Sequence, residues 1–176
     1  MINRNEDKKW FAIYVRSRFE KKVFQSLDDI GIESFLPLIS RIKQWSDRKK
    51  KVEEPLFRSY LFVRILPKDE TTKHKIEHVS GVVKFVSIGE TPVPVPDNQI
   101  AAIKTYIADN TLHEVNCEDY KEGELVLIKS GNMKDLIGRF VNMNGKHRVI
   151  INIESVGQSL PIDVPLSNIE VYRKGT

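Results

Sequence analysis

The chain has 176 residues, 40% of them hydrophobic and 30% charged, with a net charge of +4. This composition supports a packed core and argues against a disordered chain. No apolar run approaches the roughly 20 residues of a membrane-spanning helix, the polar first ten residues do not resemble a secretory signal, and Cys117 alone cannot form an internal disulfide. We therefore expect a cytoplasmic protein with no membrane partner.

The charge is distributed unevenly along the chain. Residues 1–108 carry 20 Lys/Arg and 14 Asp/Glu, a net charge of +6, whereas residues 109–119 carry four acids and no base. A basic N-terminal region indicates that the protein binds a polyanionic partner such as nucleic acid. On charge alone, however, a solvated basic surface is the simpler interpretation.

Hydrophobic periodicity predicts alternating strands and helices in the first 108 residues. Residues 71–79 are mostly polar and fit either a helix or a loop, and the alternate prolines of residues 92–96 favour an extended edge. Strands are predicted over residues 10–15, 56–66 and 81–88, helices over 19–30 and 97–108, and a basic hairpin over 39–52 with its turn at Ser46-Asp47. The order predicts an α+β sandwich, with helices on one face of an antiparallel sheet.

The acidic segment at residues 109–119 is the predicted linker, and residues 120–176 are the predicted second domain. Turn signals at close spacing, with Asn144-Gly145 the strongest, favour a small five-stranded β-barrel over helices. The predicted strands cover residues 125–128, 139–143, 147–153, 160–164 and 169–172.

The strand at residues 57–64 carries the strongest functional signal. Side chains alternate across a strand, which assigns Phe57, Ser59, Leu61 and Val63 to one face. The other face then carries Arg58, Tyr60, Phe62 and Arg64. Aromatic rings beside arginines are typical of protein interfaces and of stacking platforms for single-stranded nucleic acid. A central strand buried on both faces explains the pattern equally well.

Several segments together resemble NusG-family transcription elongation factors. They are Trp10-Phe11, Phe19-Glu20, and residues 56–63, 81–86 and 92–96. Glu54-Pro55 and the residues after it are similar to the specialised RfaH-type and UpxY-type members. In the C-terminal region, Gly123, Gly131 and Gly138 with residues 136–141 resemble a KOW motif, which implies an SH3-like barrel.

The resemblance implies binding to the clamp helices of bacterial RNA polymerase through an apolar patch, with suppression of pausing or termination and no catalysed reaction. By position, the patch comprises Phe57, Tyr60, Phe62, Phe85 and Ile103. In RfaH-like members the basic end of the first helix also contacts the non-template DNA strand, which corresponds here to Arg16, Arg18, Lys21, Lys22 and Gln25. The resemblance also implies that the KOW domain binds a ribosomal protein or another regulator. We expect a monomer without a cofactor.

Departures from the family pattern affect the finer interpretation. The usual proline and the glycine or asparagine before the tyrosine are replaced by Arg58 and Ser59. Housekeeping members carry a phenylalanine that contacts Rho or a ribosomal protein, and the aligned position here is about Val156. The loss of this ring indicates weak or absent Rho binding, which favours an antiterminator over a termination cofactor. We predict no helical state of the KOW domain, because its turns and β-branched residues favour a barrel.

Other functions fit the sequence less well. A general elongation factor and a ribosome-associated KOW protein that binds RNA are the alternatives. No group of residues in the sequence resembles an active site, so we do not expect an enzyme. His74 and His78 are one helical turn apart and could bind a metal ion, but no third ligand is apparent nearby.

Overall fold

A computed structural model describes residues 8–44, 49–108, 121–143 and 146–173. The chain divides into two compact units, Met1–Pro96 and Asp97–Thr176. This division differs from the predicted boundary at residue 108, because the helix from residue 97 groups with the C-terminal unit. The predicted linker at 109–119 lies outside the described residues.

The described residues of the first unit form two helices and nine short strands. The helices are α1 (Glu20–Asp29) and α2 (Glu70–Glu77), and the strands are β1 (Lys9–Val15), β2 (Ser34–Phe35), β3 (Leu38–Gln44), β4 (Lys49–Pro55), β5 (Tyr60–Ile65), β6 (Val82–Phe85), β7 (Ser87–Ile88), β8 (Thr91–Pro92) and β9 (Pro94–Val95). The predicted strand over 10–15 and helix over 19–30 are confirmed, while the strand predicted over 81–88 is divided in two.

Strand β1 is the centre of the main antiparallel sheet. It pairs with β5, β6 and β9, and β2 extends the sheet beyond β5. Alternate side chains of β1 and β5 point toward one face, where they pack with α1 and α2 to exclude apolar surface from water. This core comprises Phe11, Ile13, Val15, Val23, Leu27, Ile32, Leu36, Leu61, Val63, Ile65, Ile76 and Phe85.

Strands β3 and β4 form a separate antiparallel hairpin. Their register runs from Leu38 opposite Pro55 to Gln44 opposite Lys49. The predicted basic hairpin is therefore confirmed as a pair of strands, although its predicted turn at Ser46-Asp47 lies outside the described residues.

A side-chain cap decides that residues 70–77 form a helix. The Asp69 carboxylate accepts hydrogen bonds from the Thr72 backbone N–H at 2.9 Å and from the Thr72 hydroxyl at 2.6 Å. Such a cap satisfies an otherwise unpaired donor in the first turn. Both hydrogen bonds lower the pKa of the Asp69 carboxyl from its ordinary value, and the bond from the Thr72 hydroxyl contributes more than the bond from the backbone N–H.

The second unit contains α3 (Asp97–Ala108) and a five-stranded antiparallel sheet. Its strands are β10 (Leu125–Ile128), β11 (Ile137–Met143), β12 (Lys146–Ile153), β13 (Gln158–Ile162) and β14 (Ile169–Val171). The strand order is β13-β12-β11-β10-β14, so the last strand returns beside the first of the unit. Helix α3 contacts β13, and the Asn98 amide donates to the Lys134 carbonyl at 3.0 Å. All five predicted strands are present with small shifts of their ends.

The three KOW glycines occupy positions that other residues fill poorly. Gly123 and Gly131 have φ angles of +85° and +81°, which favour glycine. Gly138 lies in β11 against β12, where a Cβ atom would meet the Val149 side chain and come within 2.6 Å of the Ile150 carbonyl oxygen. In the described part of the chain, no helix has the length and hydrophobicity that crossing a membrane requires.

Candidate functional site

A tight turn precedes β5, where the sequence predicted continuous strand. The strand begins at Tyr60, and Ser59 has a φ angle of +66°. The Tyr60 N–H donates to the Phe57 carbonyl at 3.3 Å, which closes the turn. The strand predicted over 56–66 is therefore too long at its start, because Ser59 adopts the left-handed conformation that interrupts an extended chain.

This turn places Phe57 on the face opposite to the one predicted. Its ring meets the Phe62 ring edge-on, with centroids 6.2 Å apart, and Phe62 also stacks on Phe35 at 6.1 Å. Phe57 and Phe62 are both completely buried. From Tyr60 onward the predicted alternation is confirmed, since β1 places Ala12 opposite Phe62 and Trp10 opposite Arg64.

The predicted apolar patch is therefore wrong as an exposed surface. Phe85 belongs to the helix-side core, where its ring lies 6.3 Å from that of Phe11, and Ile103 is fully buried in α3 of the second unit. Large apolar side chains gain about 1.5–3 kcal/mol each from full burial, which explains why these rings pack inside. Of the five patch residues, Tyr60 alone is partly exposed.

A pair of tyrosines forms an accessible aromatic surface on the main sheet. Tyr14 lies directly opposite Tyr60 across β1 and β5, and their rings pack edge to face with centroids 5.3 Å apart. Tyr14 is 37% exposed, and the neighbouring Arg58 is exposed. Sequence reasoning missed Tyr14, although alternation along residues 10–15 would have placed it on the face opposite Ile13 and Val15.

A buried hydrogen bond ties the Tyr60 turn to the start of α1. The Ser59 N–H donates to Glu20 Oε1 at 2.8 Å, and the Val15 N–H donates to the Ser59 carbonyl at 2.9 Å. Glu20 is only 5% exposed. These two bonds connect the end of β1, the first turn of α1 and the tyrosine-bearing strand.

The predicted nucleic-acid residues lie beside this connection. Arg16, Arg18, Lys21, Lys22 and Gln25 are all exposed. The Phe19 N–H donates to the Arg16 carbonyl at 3.0 Å, and Arg18 has a φ of +68°, so the segment forms a tight turn into α1. Lys22 Nζ lies 5.5 Å from the centre of the Phe19 ring. The Gln25 amide donates to Asp29 Oδ1 at 3.0 Å.

A family model described as transcription termination factor NusG matches residues 8–104. That match covers more than half of the chain. The chain belongs to the NusG family. The NusG transcription termination/antitermination protein of Pseudomonas aeruginosa is 25% identical, covering 93% of this chain and 98% of the relative. Its namesake from Yersinia pestis is 24% identical, covering 93% and 96%.

A solved structure extends the likeness to the fold of both units. The structure titled "Domain interaction in Thermotoga maritima NusG" matches with a TM-score of 0.54 and 24% identity, covering 94% of this chain and 98% of its own. The α+β fold is therefore that of a NusG protein. Sequence and structure together identify a NusG-like transcription termination/antitermination factor of the type found in bacteria.

Replacing Glu20 by alanine should lower the free energy of unfolding by about 1.5–3 kcal/mol, because the buried Ser59 N–H loses a charged acceptor. Glu20→Gln should lose less, since its amide oxygen still accepts. Arg58→Ala, in the same turn but exposed, should stay within about 0.5 kcal/mol. Urea unfolding followed by tryptophan fluorescence measures all three. Equal losses for the alanine and glutamine variants would contradict this role of the Glu20 carboxylate.

Proposed function

We propose that this NusG-family protein binds bacterial RNA polymerase during elongation and suppresses pausing or termination. Family membership supports the polymerase as partner, and the exposed Tyr14–Tyr60 pair supports the position of the contact. Binding that favours the elongating state over the paused state shifts the population toward elongation without any catalysed step.

The tyrosine pair has the chemistry of an interface anchor. Tyrosine combines a large apolar ring with a polar hydroxyl, and with arginine it is enriched among residues that dominate binding energy. Tyr14 and Tyr60 are held by two paired strands and by each other, so little side-chain freedom is lost on binding. The clamp helices of RNA polymerase are the partner that the family resemblance implies.

The basic turn extends the proposed contact to DNA. Arg16, Arg18, Lys21 and Lys22 are exposed cations within one stretch of seven residues at the start of α1. Cations in such a stretch can neutralise phosphates of a single strand, and the non-template strand is single-stranded in the elongation complex. The buried Glu20 bond holds this stretch and the tyrosine strand in one arrangement.

We further propose a specialised antiterminator that acts at particular operons, of the type that directs polysaccharide synthesis. Two departures support it: Arg58 and Ser59 replace residues usual in the family, and Val156 stands where housekeeping members carry a phenylalanine. Val156 is 8% exposed at the end of a short 3-10 helix, Glu154–Val156. A buried valine offers much less contact surface to Rho than an exposed ring would.

Removing the tyrosine rings should weaken polymerase binding while the fold is retained. Tyr14→Ala and Tyr60→Ala should each reduce affinity for the elongation complex about tenfold or more, as anchors do. Ile88 lies on a different strand, β7, and is 78% exposed. Ile88→Ala also removes exposed apolar surface, so it is the matched control and should bind normally. Undiminished binding by both tyrosine variants, with circular dichroism unchanged, would place the contact elsewhere.

Loss of the basic turn should show in the salt dependence of binding. Each phosphate contact on a single strand contributes about 0.7 to the magnitude of the slope of log K against log salt. The double variant Lys21→Ala with Lys22→Ala removes two such contacts, so it should reduce the magnitude of the slope by about 1.4. Lys129→Ala, an exposed lysine of the second unit, should leave the slope unchanged. The measurement compares elongation complexes over a salt series. An unchanged slope in the double variant would exclude a DNA contact by these lysines.

The operon-specific function predicts restricted occupancy of the genome. Chromatin immunoprecipitation should place the protein at a few operons, where polymerase occupancy in distal genes falls when the protein is deleted. Occupancy that follows polymerase across most genes would instead identify a general elongation factor.

A further inference from the structure

Two imidazole rings lie together at the C-terminal end of α2. His74 and His78 are one helical turn apart, so both side chains lie on the same face. Their ring centroids are 4.0 Å apart with 30° between the planes, and both residues are exposed. The surface function proposed above uses neither residue.

One backbone contact determines which nitrogen of His78 is available. Its Nδ1 lies 2.8 Å from the backbone carbonyl oxygen of His74. A carbonyl oxygen only accepts, so Nδ1 must carry the hydrogen, and in the neutral ring Nε2 then holds the free lone pair. Histidines that bind metals are commonly oriented in this way, by donating the other ring N–H to a carbonyl.

We propose that His74 and His78 form a two-ligand site for a borderline divalent transition-metal ion, with Zn²⁺ and Ni²⁺ as representatives. Imidazole nitrogen is a preferred ligand of these ions, whereas Mg²⁺ and Ca²⁺ select oxygen. The two rings are stacked, so their in-plane lone pairs point side by side rather than toward one point. Both rings must therefore turn about their side-chain bonds to place one nitrogen each at about 2.0–2.1 Å from a common ion.

The surroundings of the pair define the rest of the site. A shallow depression is lined by Ile30, His74, Lys75, His78 and Val79. The Lys75 ammonium, which also lines this depression, repels the ion and so lowers its affinity. Among the described residues, no third histidine, cysteine or carboxylate completes a cluster of three. Water molecules would therefore occupy the remaining coordination positions.

Titration of the full-length protein with NiCl₂ or ZnCl₂ alone tests this site. Calorimetry should detect binding of the ion. Its affinity should fall at least tenfold in both His74→Gln and His78→Gln, because losing a ligand should cost no less than the roughly 10–100-fold that losing an outer-shell partner costs. The chain has two other histidines, His113 and His147, and their glutamine variants are the matched controls that should retain binding. Excess MgCl₂ should not compete.

Paramagnetic broadening by Ni²⁺ gives an independent readout. The imidazole resonances of His74 and His78 should broaden first in the NMR spectrum, because they would ligate the ion directly. His74→Gln removes one ring but leaves the backbone carbonyl that accepts from His78, so it preserves the fold of the helix end. Equal affinity in wild type and both variants, broadening confined to His113 or His147, or no binding by the wild type would each overturn the proposal.

Discussion

The buried hydrogen bond between the Ser59 N–H and the Glu20 carboxylate is the constraint on which the proposed surface depends. It holds a serine in the left-handed conformation, which costs a non-glycine residue about 1–2 kcal/mol. A charged acceptor in a buried position offsets that cost. The same turn sets the direction of Tyr60 and ends beside the basic entry to α1. The residues proposed to bind protein and those proposed to bind DNA therefore share one structural support.

The two faces of the main sheet serve different purposes. One face packs against α1 and α2 and supplies much of the first unit's core. The other carries an aromatic cluster around Phe62, which is buried with Phe57 and stacks on Phe35. At the Tyr14–Tyr60 end of this face the rings reach solvent, and Phe35 is also partly exposed. The buried rings stabilise the sheet, whereas the partly exposed tyrosine pair is held in position by it. Neighbouring aromatic residues would then divide between folding and the proposed recognition.

Periodicity predicted most of the elements, since strong apolar patterns determine which face of a strand or helix is buried. It failed at residues 56–59, because the alternation rule assumes extended backbone and cannot anticipate the positive φ of Ser59. It placed Phe62 on the correct face but could not show that Phe35 and Phe57 would cover it. Tyr14 was overlooked because its role depends on a partner 46 positions later, Tyr60, which only the strand register reveals.

The proposed function requires that the Tyr14–Tyr60 pair faces the polymerase in the elongation complex. Photo-crosslinking tests it directly, with benzoylphenylalanine at position 14 and, as the control, at the exposed position 88. Contact through the tyrosine pair should give a crosslink from position 14 to the polymerase subunit that carries the clamp helices, and none from position 88. A crosslink from position 88 with none from position 14 would contradict it, because the separate β7–β8 pair of strands would then contact the enzyme.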